Sequence, residues 1–236
     1  MIRFSVIACT VCTLAGLATR TAPAADEPKP VPPPPGAAVL FDGKDLSGWV
    51  AARQKEVQPA AWKVQDGYME VAKGDIMTKE KFGPDFLLHV EFWLPHMPNA
   101  KGQGRANSGV YLQGRYEIQV LDSYMNDTYP DGSVGAMYQI LTPDKEAQQK
   151  AVKPPENCNT YDITFHAPRV GGDGKVTEKG RCTVVLNGIP LYKEGAFDRV
   201  TGGALDQKLG EPGPILLQDH GNKVRFRNIW LKPLEK

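Results

Sequence analysis

Apolar residues recur at every second position over short stretches of this chain, and almost nowhere at the three-to-four spacing of a helix. Over residues 86–94, Phe86, Leu88, Val90, Phe92 and Leu94 form one row, while His89, Glu91 and Trp93 fall in the other. Side chains on a strand alternate between faces, so this pattern predicts a strand with one side in a core. Residues 160–167 repeat it, with Tyr161, Ile163 and Phe165 against Asp162, Thr164 and His166. Residues 107–124 read as two strands joined at Gly114-Arg115. In the second, Tyr116, Ile118 and Val120 point one way and Glu117, Gln119 and Leu121 the other. Shorter strands are predicted at 39–41, 62–64, 68–71, 76–78, 138–141, 182–186, 215–218 and 224–231. Asp66-Gly67 and Asn187-Gly188 supply turns between them. Residues 99–106, 126–135 and 197–213 read as loops, 171–180 as a glycine-rich turn, and 144–151 as the one helical stretch. Many short strands with turn residues between them argue for an all-β sandwich.

The first residues break this pattern. Arg3 is followed by an apolar run and then Ala22-Pro23-Ala24, the layout of a secretory leader with a small-x-small cleavage site. Residues 1–24 are therefore expected to be a signal peptide and the protein to be exported, to the periplasm or beyond the cell. Residues 25–36, with four consecutive prolines, read as an extended spacer, and residues 37–236 as one folded domain. No later segment reaches transmembrane length. Taking Arg3 and Arg20 away with the leader leaves 26 basic against 27 acidic residues, a net charge of −1. That balance gives no electrostatic case for nucleic acid. Cys158 and Cys182 remain, and an oxidising compartment permits a bridge between them without requiring it.

The polar rows carry the candidate chemistry. His89, Glu91, Tyr111, Gln113, Glu117, Gln119, Thr164, His166, Gln218, Arg225 and Arg227 all take alternate strand positions. If their strands share one sheet, these side chains form a single concave surface of carboxylates, amides, histidines, arginines and aromatics, suited to a carbohydrate. His220 sits in the polar turn Gln218-Asp219-His220-Gly221-Asn222. No Gly-x-Ser-x-Gly elbow, His-Glu-x-x-His or phosphate-cradling loop is present.

Four ordered motifs carry a resemblance. They are Leu40-Phe41-Asp42-Gly43-Lys44-Asp45-Leu46-Ser47-Gly48-Trp49, the stretch from Asn107 to Ser123, Asn159-Thr160-Tyr161-Asp162, and Leu217-Gln218-Asp219-His220-Gly221. Together they resemble the 3-keto-disaccharide hydrolase domain family over about residues 38–234. Cys158 departs from its pattern, standing where a tryptophan is expected. The resemblance implies a concanavalin A-like jelly roll of two antiparallel sheets. It also implies an exported enzyme acting on glycosides already oxidised at sugar C3, which calls for a separate dehydrogenase to make the keto-sugar.

Such a substrate needs a base near C2, an electrophile near the C3 oxygen and an acid near the leaving oxygen. By residue type and alternation, Glu117 or His166 is the expected base. His220, Arg105 or Arg227 would face the C3 oxygen, and Asp122 would act as acid or simply cap its turn. Gln119, Gln218, Asn107 and Tyr111 would hold hydroxyls. No cofactor is assigned, and a divalent metal on Glu117, His166 and His220 stays open as the electrophile. A sugar-binding module without a base, a two-carboxylate glycosidase and an envelope adhesion domain are the competing readings. Gln119 and Leu121 interrupt the Glu-x-Asp-x-Glu pattern expected of a jelly-roll glycosidase.

Overall fold

A computed structural model of the protein describes residues 28–235, so the expected leader lies outside the described residues. The strands are Ala38–Phe41 (β1), Trp49–Ala51 (β2), Lys63–Gln65 (β3), Tyr68–Glu70 (β4), Ile76–Thr78 (β5), Asp85–Trp93 (β6), Ser108–Leu112 (β7) and Tyr116–Val120 (β8). Cys158–His166 (β9), Arg169–Val170 (β10), Val176–Glu178 (β11), Gly180–Leu186 (β12), Ile189–Phe197 (β13), Leu216–Leu217 (β14) and Arg225–Pro233 (β15) follow. The α-helix is Lys145–Ala151 (α1), capped where Asp144 accepts a hydrogen bond from the Ala147 amide at 2.8 Å.

Two antiparallel sheets face each other. The larger runs β13-β12-β9-β6-β15-β4-β3, with β1 also on β15; the smaller runs β2-β5-β14-β7-β8. The fold is the antiparallel jelly-roll sandwich that the alternation and the resemblance imply. The apolar rows meet between the sheets. Phe86, Leu88, Val90, Phe92, Ile163 and Phe165 come from the larger sheet and Val110, Leu112, Ile118, Val120 and Leu217 from the smaller, all without exposure. Tyr161 crosses this core and donates its hydroxyl proton to the Gln119 carbonyl at 2.6 Å, tying β9 to the back of β8. A buried phenol needs such a partner.

Strand β8 is an edge, and its outer backbone is covered. Gln119 N–H donates to the Ala136 carbonyl, Gly135 N–H to Gln119, and Tyr138 N–H to Glu117. The Glu117 amide itself donates to the Thr201 hydroxyl at 2.9 Å. Covered edges neither aggregate nor waste backbone hydrogen bonds. The residues doing this covering include 138–141, predicted as a strand. They form a turn instead, with Gln139 at φ 56 and a bridge from Met137 to Leu141.

Two further elements differ from expectation. Residues 171–180 include half of a small hairpin, β10 with β11. Strand β13 is absent from the prediction because it forms the sheet edge, where its Pro190, Lys193, Glu194 and Gly195 hide the period. The hairpin between β7 and β8 turns one residue earlier than expected, at Gln113-Gly114, both with positive φ (53 and 67). Gln113 is buried there and donates to the Phe82 carbonyl at 3.0 Å, so it leaves the polar row. Cys158 and Cys182 are free. They belong to opposite faces: Cys182 packs in the core opposite Phe165, while Cys158 lies seven residues along β9 on the outer side beside Glu91.

The part of the proline-rich spacer that is described crosses the outer face of the larger sheet. Val31 N–H donates to Glu91 Oε1 at 2.9 Å, and the Val31 carbonyl accepts from Asn228 Nδ2 at 2.8 Å and Trp230 Nε1 at 3.2 Å. Arg227 reaches the Pro28 carbonyl. Beneath this strap Glu91 is also bonded by Arg227 Nε at 2.7 Å, and His89 stacks on Trp230.

Candidate functional site

The expectation of one shared polar surface fails, because a sandwich has two outer faces. His89, Glu91, Thr164, His166, Arg225 and Arg227 belong to the larger sheet; Tyr111, Glu117, Gln119 and Gln218 belong to, or directly follow, strands of the smaller one. The whole core lies between the two sets. His166 ends β9, half exposed, with its ring beside Asp85 at 3.3 Å. Arg227 is engaged by Glu91 under the strap. Neither shares a surface with Glu117, and the set Glu117, His166 and His220 left open for a metal does not converge.

Arg105 and Asp122 are also set apart from Glu117. They pair with each other at 2.9 Å and line a neighbouring hollow of about 430 Å³ with His96, Tyr124 and Pro155. Burial raises the Asp122 carboxyl, while the Arg105 charge and the Tyr124 amide, which donates to it at 3.1 Å, pull the other way. Its carboxylate is used in holding this turn.

The other six come together. Asn107, Tyr111, Glu117, Gln119, Gln218 and His220 line a pocket of about 280 Å³ on the outer face of the smaller sheet. Register explains how. Gln119 lies directly opposite Gly109, and Gln218 pairs with Gly109 from the other side through its amide at 2.9 Å. The middle strand thus offers no side chain between two glutamines. A glycine inside a strand marks close approach of some other group. Here that group is Glu117, whose Oε1 lies 2.5 Å from where a Cβ on Gly109 would sit. Gly109→Ala is therefore expected to displace the Glu117 carboxylate and lower activity by at least about tenfold, with little change in melting temperature; steady-state kinetics beside a thermal melt checks it.

Glu117 is the only carboxylate lining this pocket among the described residues. Tyr111 donates its hydroxyl proton to Glu117 Oε2 at 2.8 Å, and Gln218 Nε2 donates to that same hydroxyl at 3.1 Å. Oε2 is thereby fixed and Oε1 is turned toward Gly109. Burial pushes the Glu117 carboxyl up to about 7; the Tyr111 hydrogen bond opposes this, Asp75 adds to it and Arg53 opposes it. Burial and the Glu117 charge also hold the Tyr111 phenol far above its ordinary value.

Gln103 and Tyr138 line the pocket too and went unread in the sequence. Gln103 sits in a loop whose composition carries no signal. Tyr138 was hidden by the strand assignment; its hydroxyl pairs with that of Tyr129 at 2.6 Å. Gly202 and Gly203 close the far wall. Their loop is held by Arg115, which is buried, bonds Asp206 and donates to the Glu211 carbonyl at 2.7 Å. Gly109 was the legible clue, as the one glycine within the Ser108–Leu112 strand.

Comparison with known proteins gives the family and the fold. Residues 36–232 match the 3-keto-alpha-glucoside-1,2-lyase-like domain. A curated relative from Bacteroides thetaiotaomicron, named 3-keto-disaccharide hydrolase, is 26% identical over 239 residues, covering 85% of this chain and 79% of its own. A solved structure of a candidate glycosyl hydrolase from Parabacteroides distasonis superposes with a TM-score of 0.77 at 37% identity, covering 94% of this chain and all of that one. A second structure from that organism, at 21% identity and a TM-score of 0.59, shares the fold.

Proposed function

The chain belongs to the 3-keto-alpha-glucoside-1,2-lyase-like domain family, whose profile spans nearly all of the folded residues, and we propose that it cleaves 3-keto-glycosides by elimination and hydration. A ketone at C3 acidifies the proton on C2. Glu117 Oε1 takes that proton, and the electrons form an enolate. The enolate re-forms the C3 ketone and a C1–C2 double bond as the C1–O bond breaks, and the departing oxygen takes up a proton. Water then adds, its hydroxyl to C1 and a proton to C2. The net change is hydrolysis of the glycosidic bond, with no attack on the intact acetal.

The observation that carries this reading is a buried carboxylate, the only one lining its pocket among the described residues, pushed up to about 7 in a pocket about the size of one sugar ring. A general base works best with a pKa near the operating pH. A conventional glycosidase needs two carboxylates about 5–9.5 Å apart across the scissile bond. Glu91, the distant partner the sequence offers for such a reading, lies on the other sheet under the strap. Tyr138 and His220 are the donors that would meet the C3 oxygen or the leaving oxygen.

The test is to offer the protein a chromogenic glucoside and its 3-keto counterpart. Release from the keto form alone is expected. Release from the unoxidised glucoside would replace this reading with two-carboxylate hydrolysis, and release from neither, with measurable sugar binding, with a binding module.

A further inference from the structure

The amides lining the pocket all spend their nitrogens on partners within the protein. Asn107 Nδ2 donates to the Gln103 backbone carbonyl at 2.8 Å and to Gln103 Oε1 at 3.2 Å. Gln119 Nε2 donates to Gln103 Oε1 at 2.9 Å and to the Gly132 carbonyl at 3.2 Å. Gln103 can accept twice because its own amide is spent on the Thr128 hydroxyl and the Gly132 carbonyl. Gln218 Nε2 is spent on Tyr111, whose proton has gone to Glu117. Flipping Asn107 or Gln119 would press an amide oxygen against a backbone carbonyl, so these orientations are set by fixed main-chain atoms.

Three oxygens are left over. Asn107 Oδ1, Gln119 Oε1 and Gln218 Oε1 are buried and take no hydrogen bond from the protein. Asn107 and Gln119 are 2% and 1% exposed, and all three residues line the pocket. A buried acceptor without a donor is costly, so such a group marks a place where a donor is meant to arrive. The three stand beside Glu117, around the gap that Gly109 leaves.

We propose that these three oxygens read the three hydroxyls remaining on a 3-keto-hexopyranosyl ring, at C2, C4 and C6. The inference rests on the ligand being the keto-sugar of the proposed function, and it adds a rule of selection. The pocket takes a neutral, unsubstituted hexose. An ether at one of these hydroxyls removes the only donor that an acceptor has. A carboxylate at C6 brings a fourth acceptor and a charge beside Glu117. The ketone oxygen, itself an acceptor, finds no partner among the three and is left to the donors His220 and Tyr138.

Binding to the full folded chain tests this without turnover. Methyl glucopyranoside, its 6-O-methyl ether and methyl glucuronide are titrated in turn and followed by saturation-transfer NMR. The ether and the glucuronide are expected to bind about 10–100-fold more weakly than the parent. Gln119→Met and Gln218→Met, each confirmed folded by melting, are expected to weaken the parent and bring the three affinities together. Equal binding of all three sugars to the wild type would overturn the selection rule even if keto-glycosides are cleaved. The converse result, a retained hydroxyl preference with no cleavage of any 3-keto-glycoside, would leave the rule standing and remove the elimination chemistry.

Discussion

Glu117→Gln will lower turnover of a 3-keto-glycoside by about 10²–10⁴-fold and will make the protein more stable above pH 7. Both effects come from one burial. The carboxyl is 4% exposed, and its pKa rises from 4.5 to about 7. Between those values the folded protein keeps a proton there that the unfolded chain has released. Stability therefore falls as pH rises through that window, and the full loss, about 3 kcal/mol, is present above pH 7. Glutamine has the same shape and accepts the Tyr111 hydrogen bond, yet never ionises. For a chain of this size each kcal/mol recovered is worth about 2–4 °C. The wild-type rate should climb as Glu117 ionises through about pH 7, in the same window where stability declines. Rate profiles and melts at pH 5 and pH 8 check both arms. A variant with wild-type rates would remove Glu117 from the chemistry, and an unchanged melting point at pH 8 would contradict its burial as a charge.

Arg227→Met should have the complementary outcome: a loss of about 3–5 kcal/mol in stability, with kcat and KM within about twofold of wild type below the melting range. Glu91 is 1% exposed, and its pKa lies at about 2. Burial alone would raise it; hydrogen bonds from His89, Arg227, Asn228 and the Val31 amide more than reverse that. The depressed value means that this stabilisation is in place above pH 4.5 and is lost as pH falls toward 2. Removing the Arg227 guanidinium leaves a buried carboxylate short of its positive partner and also strips the cation from the Trp93 face, 4.5 Å away. Had Arg227 faced the substrate, as the sequence suggested, kcat/KM would drop instead. Denaturant unfolding alongside kinetics separates the two.

That contrast marks where the sequence stopped being informative. Period two tells which residues of a strand face a core, and it placed Glu117, Gln119, His166 and Arg227 outside the core correctly. It does not tell which sheet a strand joins. His166 and Glu117 therefore looked like neighbours while lying on opposite outer faces. The β7–β8 hairpin was legible because its partners are adjacent in the chain, and its four pocket residues, Asn107, Tyr111, Glu117 and Gln119, followed from alternation, with Gln218 and His220 added from motif and turn. Gln103 and Tyr138 were not legible, since each reaches the pocket from irregular backbone whose course is set by distant partners. Gln148 in α1, for instance, holds Val134 and Ser133 in place by two hydrogen bonds of 2.7 Å.

The strap has a practical meaning for handling the protein. The described residues begin at Pro28, against the outer face of the larger sheet, and the Glu117 pocket opens on the outer face of the smaller one. Anything joined to that end, whether a bead, an electrode or a fused second enzyme, is separated from the pocket mouth by the full thickness of two sheets. Immobilisation through this end leaves the mouth facing free solution, where a bulky glycoside can approach without meeting the support.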